Sequence, residues 1–174
     1  MKKLIEEDWE VQVINMFTYI SVITLSIIAI WYNLYWHYSQ KPKNIMSFKE
    51  SLDLADLPIV TFYQGENKFN FLLDTGSTMN IINSNSSFTY IELKEQKGTV
   101  TGVGGTTETT YAELSLFYKK KEFITTTQVM DLTDIFNTIK QETGVTLHGI
   151  LGNNFFSKYG YVLNYYDMIA YSKK

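Results

Sequence analysis

Hydrophobic and polar positions divide this chain into two unlike parts. From Val11 to Trp36, VQVINMFTYISVITLSIIAIWYNLYW, no formally charged residue occurs. The uncharged stretch runs on to Lys41 when His37 is neutral. At about 1.5 Å of rise per residue, a helix of roughly 20 such residues crosses the hydrocarbon core of a bilayer. Trp31, Tyr32, Tyr35 and Trp36 gather at one end, where an interfacial aromatic belt would lie. A buried core helix would oblige the rest of the chain to wrap an element that is apolar on all sides. A cleaved signal peptide would carry a shorter apolar region and end in small residues rather than bulky aromatics. The pattern predicts a tail over 1–10, a single transmembrane helix over 11–37 and a polar linker over 38–50. Lys2 and Lys3 precede the span, and Lys41, Lys43 and Lys49 follow it. That balance leans only slightly towards a cytoplasmic domain.

From residue 51 to 174 the period changes to that of strands. LPIVTFYQGENKFNFLLDTGS alternates around a QGEN turn, which predicts a hairpin of Ile59–Tyr63 with Phe69–Leu73. TVTGVGGTTETT is a glycine-rich tip between threonine-rich strands and predicts a second hairpin. YAELSLFYKKKEFITTTQVM holds two more short strands. In DLTDIFNTIKQETG the spacing of Leu132, Ile135, Phe136 and Ile139 becomes helical, with Asp131 or Thr133 able to cap the start and Gly144 the end. HGILGNNFFSKYG predicts a short strand, a glycine and a short helix, and YVLNYYDMIAYSKK a closing hairpin. The result is a mostly β domain with one or two short helices.

Composition narrows the chemistry. The 174 residues carry a net charge of −3, so no basic surface points to nucleic acid. No cysteine is present, which removes disulfides, thiolate nucleophiles and cysteine-based zinc sites. Only His37 and His148 could serve a Ser-His-Asp triad or a histidine metal site, and His148 has no second histidine in the domain. Asn85 begins an Asn-Ser-Ser glycosylation pattern, meaningful only in a secreted eukaryotic chain.

Three stretches carry candidate chemistry, and each also has a bland account. In FLLDTGS, Asp74 and Gly76 suit a tight turn, in which the carboxylate accepts an N–H from two residues on. Yet Asp74 follows large apolar residues, and Thr75 and Gly76 let the backbone turn sharply beneath it. That would present an oriented carboxylate at the floor of a cleft. In Gly102-Val103-Gly104-Gly105, a phosphate cradle would need a helix directly after the glycines, and TTETTYAEL favours strand instead. The tip is either a plain hairpin end or a mobile flap over a bound peptide. In HGILGNN, Ile150 and Leu151 read as core, and Gly152 suggests close approach of another backbone.

Together the three stretches resemble the retropepsin-like aspartic proteases. Leu72-Leu73-Asp74-Thr75-Gly76 matches that family's hydrophobic-hydrophobic-Asp-Thr/Ser-Gly motif. Gly102 to Gly105 match its flap hairpin, and Ile150-Leu151-Gly152 with NNFFSKY match its late hydrophobic-hydrophobic-Gly motif and helix. The resemblance covers about Leu52 to Tyr171 and looks most like membrane-anchored bacterial members. The helical insertion at Asp131–Gly144 and the N-terminal anchor depart from the small viral enzymes. The resemblance implies a closed acid-protease β-barrel, no cofactor and no metal, and a peptide or protein substrate. It also implies a site shared by two copies, because the domain has one Asp-Thr-Gly and none of Asp131, Asp134 or Asp167 repeats it. In that picture Asp74 is catalytic, Thr75 bonds across the dimer axis, and Ser77 helps to orient Asp74. The flap around Val103 covers the substrate. A silent peptide-binding module of the same fold, or a structural membrane protein, stands as the alternative.

Overall fold

Helix α1 occupies Lys2–Ser39 of the computed structural model, which describes residues 2–39, 41–102 and 105–172. It overruns the predicted span at both ends and absorbs most of the expected tail. None of its apolar stretch, Val11–Ser39, is buried inside the chain, which sets aside a core helix. At about 1.5 Å per residue this stretch reaches roughly 43 Å, long and apolar enough to cross a membrane. Its hydroxyls at Thr18, Ser21, Thr24 and Ser26 each donate to the carbonyl four residues back at 2.8 Å. These four hydroxyls are thus satisfied within the helix, without water.

The second unit is Pro42–Ser172. In order it contains β1 (Lys43–Ser47), α2 (Lys49–Ala55), β2 (Ile59–Gln64), β3 (Asn67–Leu73), β4 (Asn80–Asn83), β5 (Tyr90–Gly102), β6 (Gly105–Tyr118) and β7 (Lys121–Met130). There follow α3 (Thr133–Thr143), β8 (Gly149–Leu151), α4 (Asn153–Tyr159), β9 (Tyr161–Asn164) and β10 (Ile169–Ser172). The hairpins and the later helices lie where the pattern puts them. The linker does not. Lys43–Ser47 is a strand paired antiparallel with β10, and Met46 and Phe48 are fully buried. A third short helix, α2, begins at Lys49, still within the expected linker.

The large sheet runs β2-β3-β8-β4-β7-β6-β5, and a further β2–β6 pairing closes six of these strands into a barrel. Closure removes the open edges that a flat sheet would expose. β5 lies outside the ring and, among the described residues, pairs with β6 alone. Inside, Phe62 packs edge-on against Phe71, Phe123 and Phe155 with ring centroids 5.6–6.1 Å apart, the geometry aromatic quadrupoles favour. The separate sheet β1-β10-β9 contributes Met46, Tyr161 and Ala170 to the same core.

The apolar runs are explained by burial on both faces. Leu73 and Leu151 point into the barrel, while Leu72 and Ile150 pack outside with Leu132 and Phe136 at the start of α3. Strands covered on both sides read as continuous rather than alternating hydrophobic segments. α3 ends as predicted, on Gly144 at φ +75°. Ile135, expected on its buried stripe, is 59 % exposed, because the helix seats only its Leu132–Phe136 edge and, partly, Ile139.

Candidate active site

β3 ends at Leu73, and its parallel pairing with β8 continues one step further, since the Asp74 N–H donates to the Leu151 carbonyl at 3.0 Å. The chain then turns. The Gly76 N–H donates to Asp74 Oδ1 at 2.8 Å, the turn bond that an aspartate here invites. Both readings of the tripeptide therefore meet in one carboxylate. Oδ1 organises the loop, and no hydrogen bond reaches Oδ2 among the described residues. Asp74 is half-buried, whereas Thr75 and Gly76 are exposed.

The late Ile-Leu-Gly strand fixes this loop from behind. Gly152 lies so close to it that a Cβ would collide with the Met79 carbonyl oxygen and lie 2.7 Å from that of Ser77. Beyond it, the Asn153 N–H donates to Ser77 O at 2.8 Å, and Asn153 Nδ2 to Thr75 O at 2.9 Å. Buried Asn80 ties the third side. Its Oδ1 accepts the Gly152 N–H at 2.9 Å, and its Nδ2 reaches Thr125 Oγ1 and Thr126 O on β7. Sequence reading passed over Asn80 and Asn153. The available signal was a polar residue inside the apolar run MNII and an asparagine pair directly after Gly152.

Ser77 does not orient Asp74 within one chain. Its hydroxyl donates to Met79 O at 2.7 Å. Of the glycine-rich tip, Gly102 and Gly105 form the terminal pair of the β5/β6 ribbon, and Val103 and Gly104 lie outside the described residues. No hydrogen bond joins this ribbon to Asp74–Ser77 among the described residues. An open groove of about 1130 Å³ lies beside α2 and β2 and includes none of the Asp-Thr-Gly residues. It is not where the candidate chemistry sits.

The other candidate groups serve the fold. His148 accepts the Asn70 N–H on Nδ1 at 3.0 Å, and burial holds its pKa below the ordinary histidine value. Asp131 is held below the usual carboxylate range chiefly by the Thr133 hydroxyl. It also takes the Asn85 amide, which is thereby occupied at the glycosylation pattern. Asp167 bonds Asn164 in the β9–β10 turn. Among the described residues no group of three or more His, Cys, Asp or Glu could hold a metal ion.

A closed barrel that locks an Asp-Thr-Gly loop against an Ile-Leu-Gly strand defines the single-lobed acid-protease class. The pattern of the family described as retroviral aspartyl protease matches residues 55–164, more than half of the chain, and the chain belongs to that family. No curated protein matches it significantly. The domain is thus of the aspartic-protease hydrolase type.

Proposed function

We propose that the chain is a membrane-anchored aspartic endopeptidase whose site is completed by Asp74 of a second copy. The observation that carries this is the half-satisfied Asp74 carboxylate, with Oδ1 held by Gly76 and Oδ2 left available. Peptide hydrolysis by carboxylates alone needs a base for the attacking water and an acid for the carbonyl oxygen. Two carboxylates a few ångströms apart cannot both ionise, so the pair shares one proton and supplies both roles. One Asp74 takes a proton from water as its oxygen attacks the scissile carbonyl carbon. The protonated Asp74 of the second copy gives its proton to the carbonyl oxygen. Collapse of the tetrahedral diol then breaks the C–N bond as a proton passes to the leaving nitrogen.

Thr75, exposed beside Asp74, would meet its counterpart across a two-fold axis. The ribbon ending at Gly102 and Gly105 would close over an extended peptide, with Val103 and Gly104 at its tip. Ile150, Leu151 and Gly152 hold the loop. The apolar stretch Val11–Ser39 supplies the anchor. Confinement to one bilayer raises the effective concentration of the two copies, so a weak dimer suffices there.

Asp74→Asn keeps an acceptor for the Gly76 N–H but cannot hold the shared proton. It should abolish cleavage of a peptide library, and an excess of this variant in the same vesicles should poison the parent chain. A variant that cleaves like the parent would sink the protease reading. Abolition without poisoning would sink the shared site. Peptide binding by the parent without any cleavage would favour a silent binding module.

A further inference from the structure

The turn between β6 and β7 is built of Lys119 and Lys120, the two residues between the paired Tyr118 and Lys121. Two-residue hairpin turns favour Gly, Asn or Asp where φ is positive. Here Lys119 sits at φ +55°. A lysine in that region carries a conformational cost that glycine would avoid, which points to a use for its charge. Lys121 follows, its ammonium 4.9 Å from the centre of the Phe123 ring and 5.7 Å from that of Tyr161. Among the described residues none of these three lysines forms an ion pair. In a chain of net charge −3, three adjacent cations at one tip are a local concentration.

Their position gives them a partner. A cavity of about 560 Å³ separates the three lysines from Asn44 and Ile45 of β1, with Glu122 on its wall. Glu122 is engaged by the Ser115 hydroxyl at 2.6 Å. The Tyr161 hydroxyl donates to Asn44 O at 2.9 Å and ties that end of β1 to β9. β1 starts at Lys43, four residues after Ser39 ends α1. Four peptide steps reach at most about 14 Å. The start of β1 is therefore tethered within that reach of the end of α1.

We infer that Lys119, Lys120 and Lys121, with Lys43, form a docking surface for the anionic lipid headgroups of the anchoring membrane. The surface sets which end of the barrel faces the bilayer. Lys121 and Lys119 are steadied by aromatic rings, Lys119 by that of Tyr118 at 5.3 Å, and exposed Lys119 and Lys120 would meet headgroup phosphates. This inference rests on α1 being a membrane anchor.

The full chain is reconstituted in phosphatidylcholine vesicles and in vesicles that also contain phosphatidylglycerol. A water-soluble amine-acylating reagent is applied, and each lysine is read by mass spectrometry, with exposed Lys68 and Lys140 as references. In the anionic vesicles, labelling at Lys119–Lys121 should fall about fivefold and recover at high salt, with the references unchanged. Equal labelling in both vesicle types overturns the inference. So does equal protection by inorganic phosphate in neutral vesicles, which would assign the turn to free anions. Alkaline carbonate separates the two readings. Release of the chain removes the anchor and this surface with it, whereas retention with equal labelling removes the surface alone.

Discussion

The Asp74 loop and the β5/β6 ribbon are both glycine-bearing turns, yet they are held in opposite ways. The loop is gripped by groups distant in sequence, Leu151 and Asn153, with Gly152 pinned in turn by Asn80 just after the loop. Among the described residues, the strand pairing of the ribbon beyond Thr110 is between its own two strands, because the last β6–β7 pair is Thr110 with Val129. A two-stranded ribbon on its own is marginally stable. Among the described residues, the loop is the more firmly positioned of the two. The proposed mechanism asks for this difference: a carboxylate that is to meet a second one needs a fixed address, and a flap over substrate has to open.

The contrast is most directly broken at Gly152. Gly152→Ala drives a methyl into the Met79 and Ser77 carbonyls and should cost about 3 kcal/mol in chemical denaturation. An unchanged midpoint would show that the loop yields easily. Next comes Asn80→Ala, which strands the buried Gly152 N–H and should cost about 2 kcal/mol. At the ribbon's root the Thr109 hydroxyl donates to Val129 O at 3.0 Å. Thr109→Val should cost about 1 kcal/mol, and should speed hydrogen exchange in the ribbon far more than in β3. Uniform acceleration would erase the distinction.

The smallest effect is the pH dependence at His148, beside the strands that carry the loop. Burial lowers its folded pKa, and Nδ1 accepts the Asn70 N–H only while unprotonated. The unfolded chain therefore binds this proton more readily. The contribution is present above about pH 6.5 and is lost as pH falls towards the folded value. Between pH 7.5 and 5 the parent should lose more thermal stability than His148→Gln. Parallel curves would remove His148 from the account.

Local pattern made much of this legible. The β2/β3 hairpin and the cap at Gly144 follow from alternation and turn chemistry that neighbouring residues settle among themselves. β1 was hidden because Ile45, Met46 and Phe48 make only a short apolar run between polar flanks. The burial of Met46 and Phe48 depends on β10, far along the chain. Ile135 was misplaced because a periodic stripe does not say how much of a helix will be seated. Asn80 and Asn153 were missed for a related reason: a polar side chain announces itself only when its partners are known. The Asp74 motif could be read, but the hydroxyl of Ser77 turned to Met79 rather than to the carboxylate.

The pairing of β1 with β10 also bears on biosynthesis. The first strand after α1 finds its partner only in the last strand of the domain, and the Tyr161–Asn44 bond alone bridges 117 positions. Contacts so distant in sequence close late in folding. During synthesis α1 leaves the ribosome well before β10 exists. α1 can therefore form while the sheet that joins β1 to β10 is still incomplete. With α1 as the proposed anchor, folding then finishes on a chain already tethered rather than free in solution.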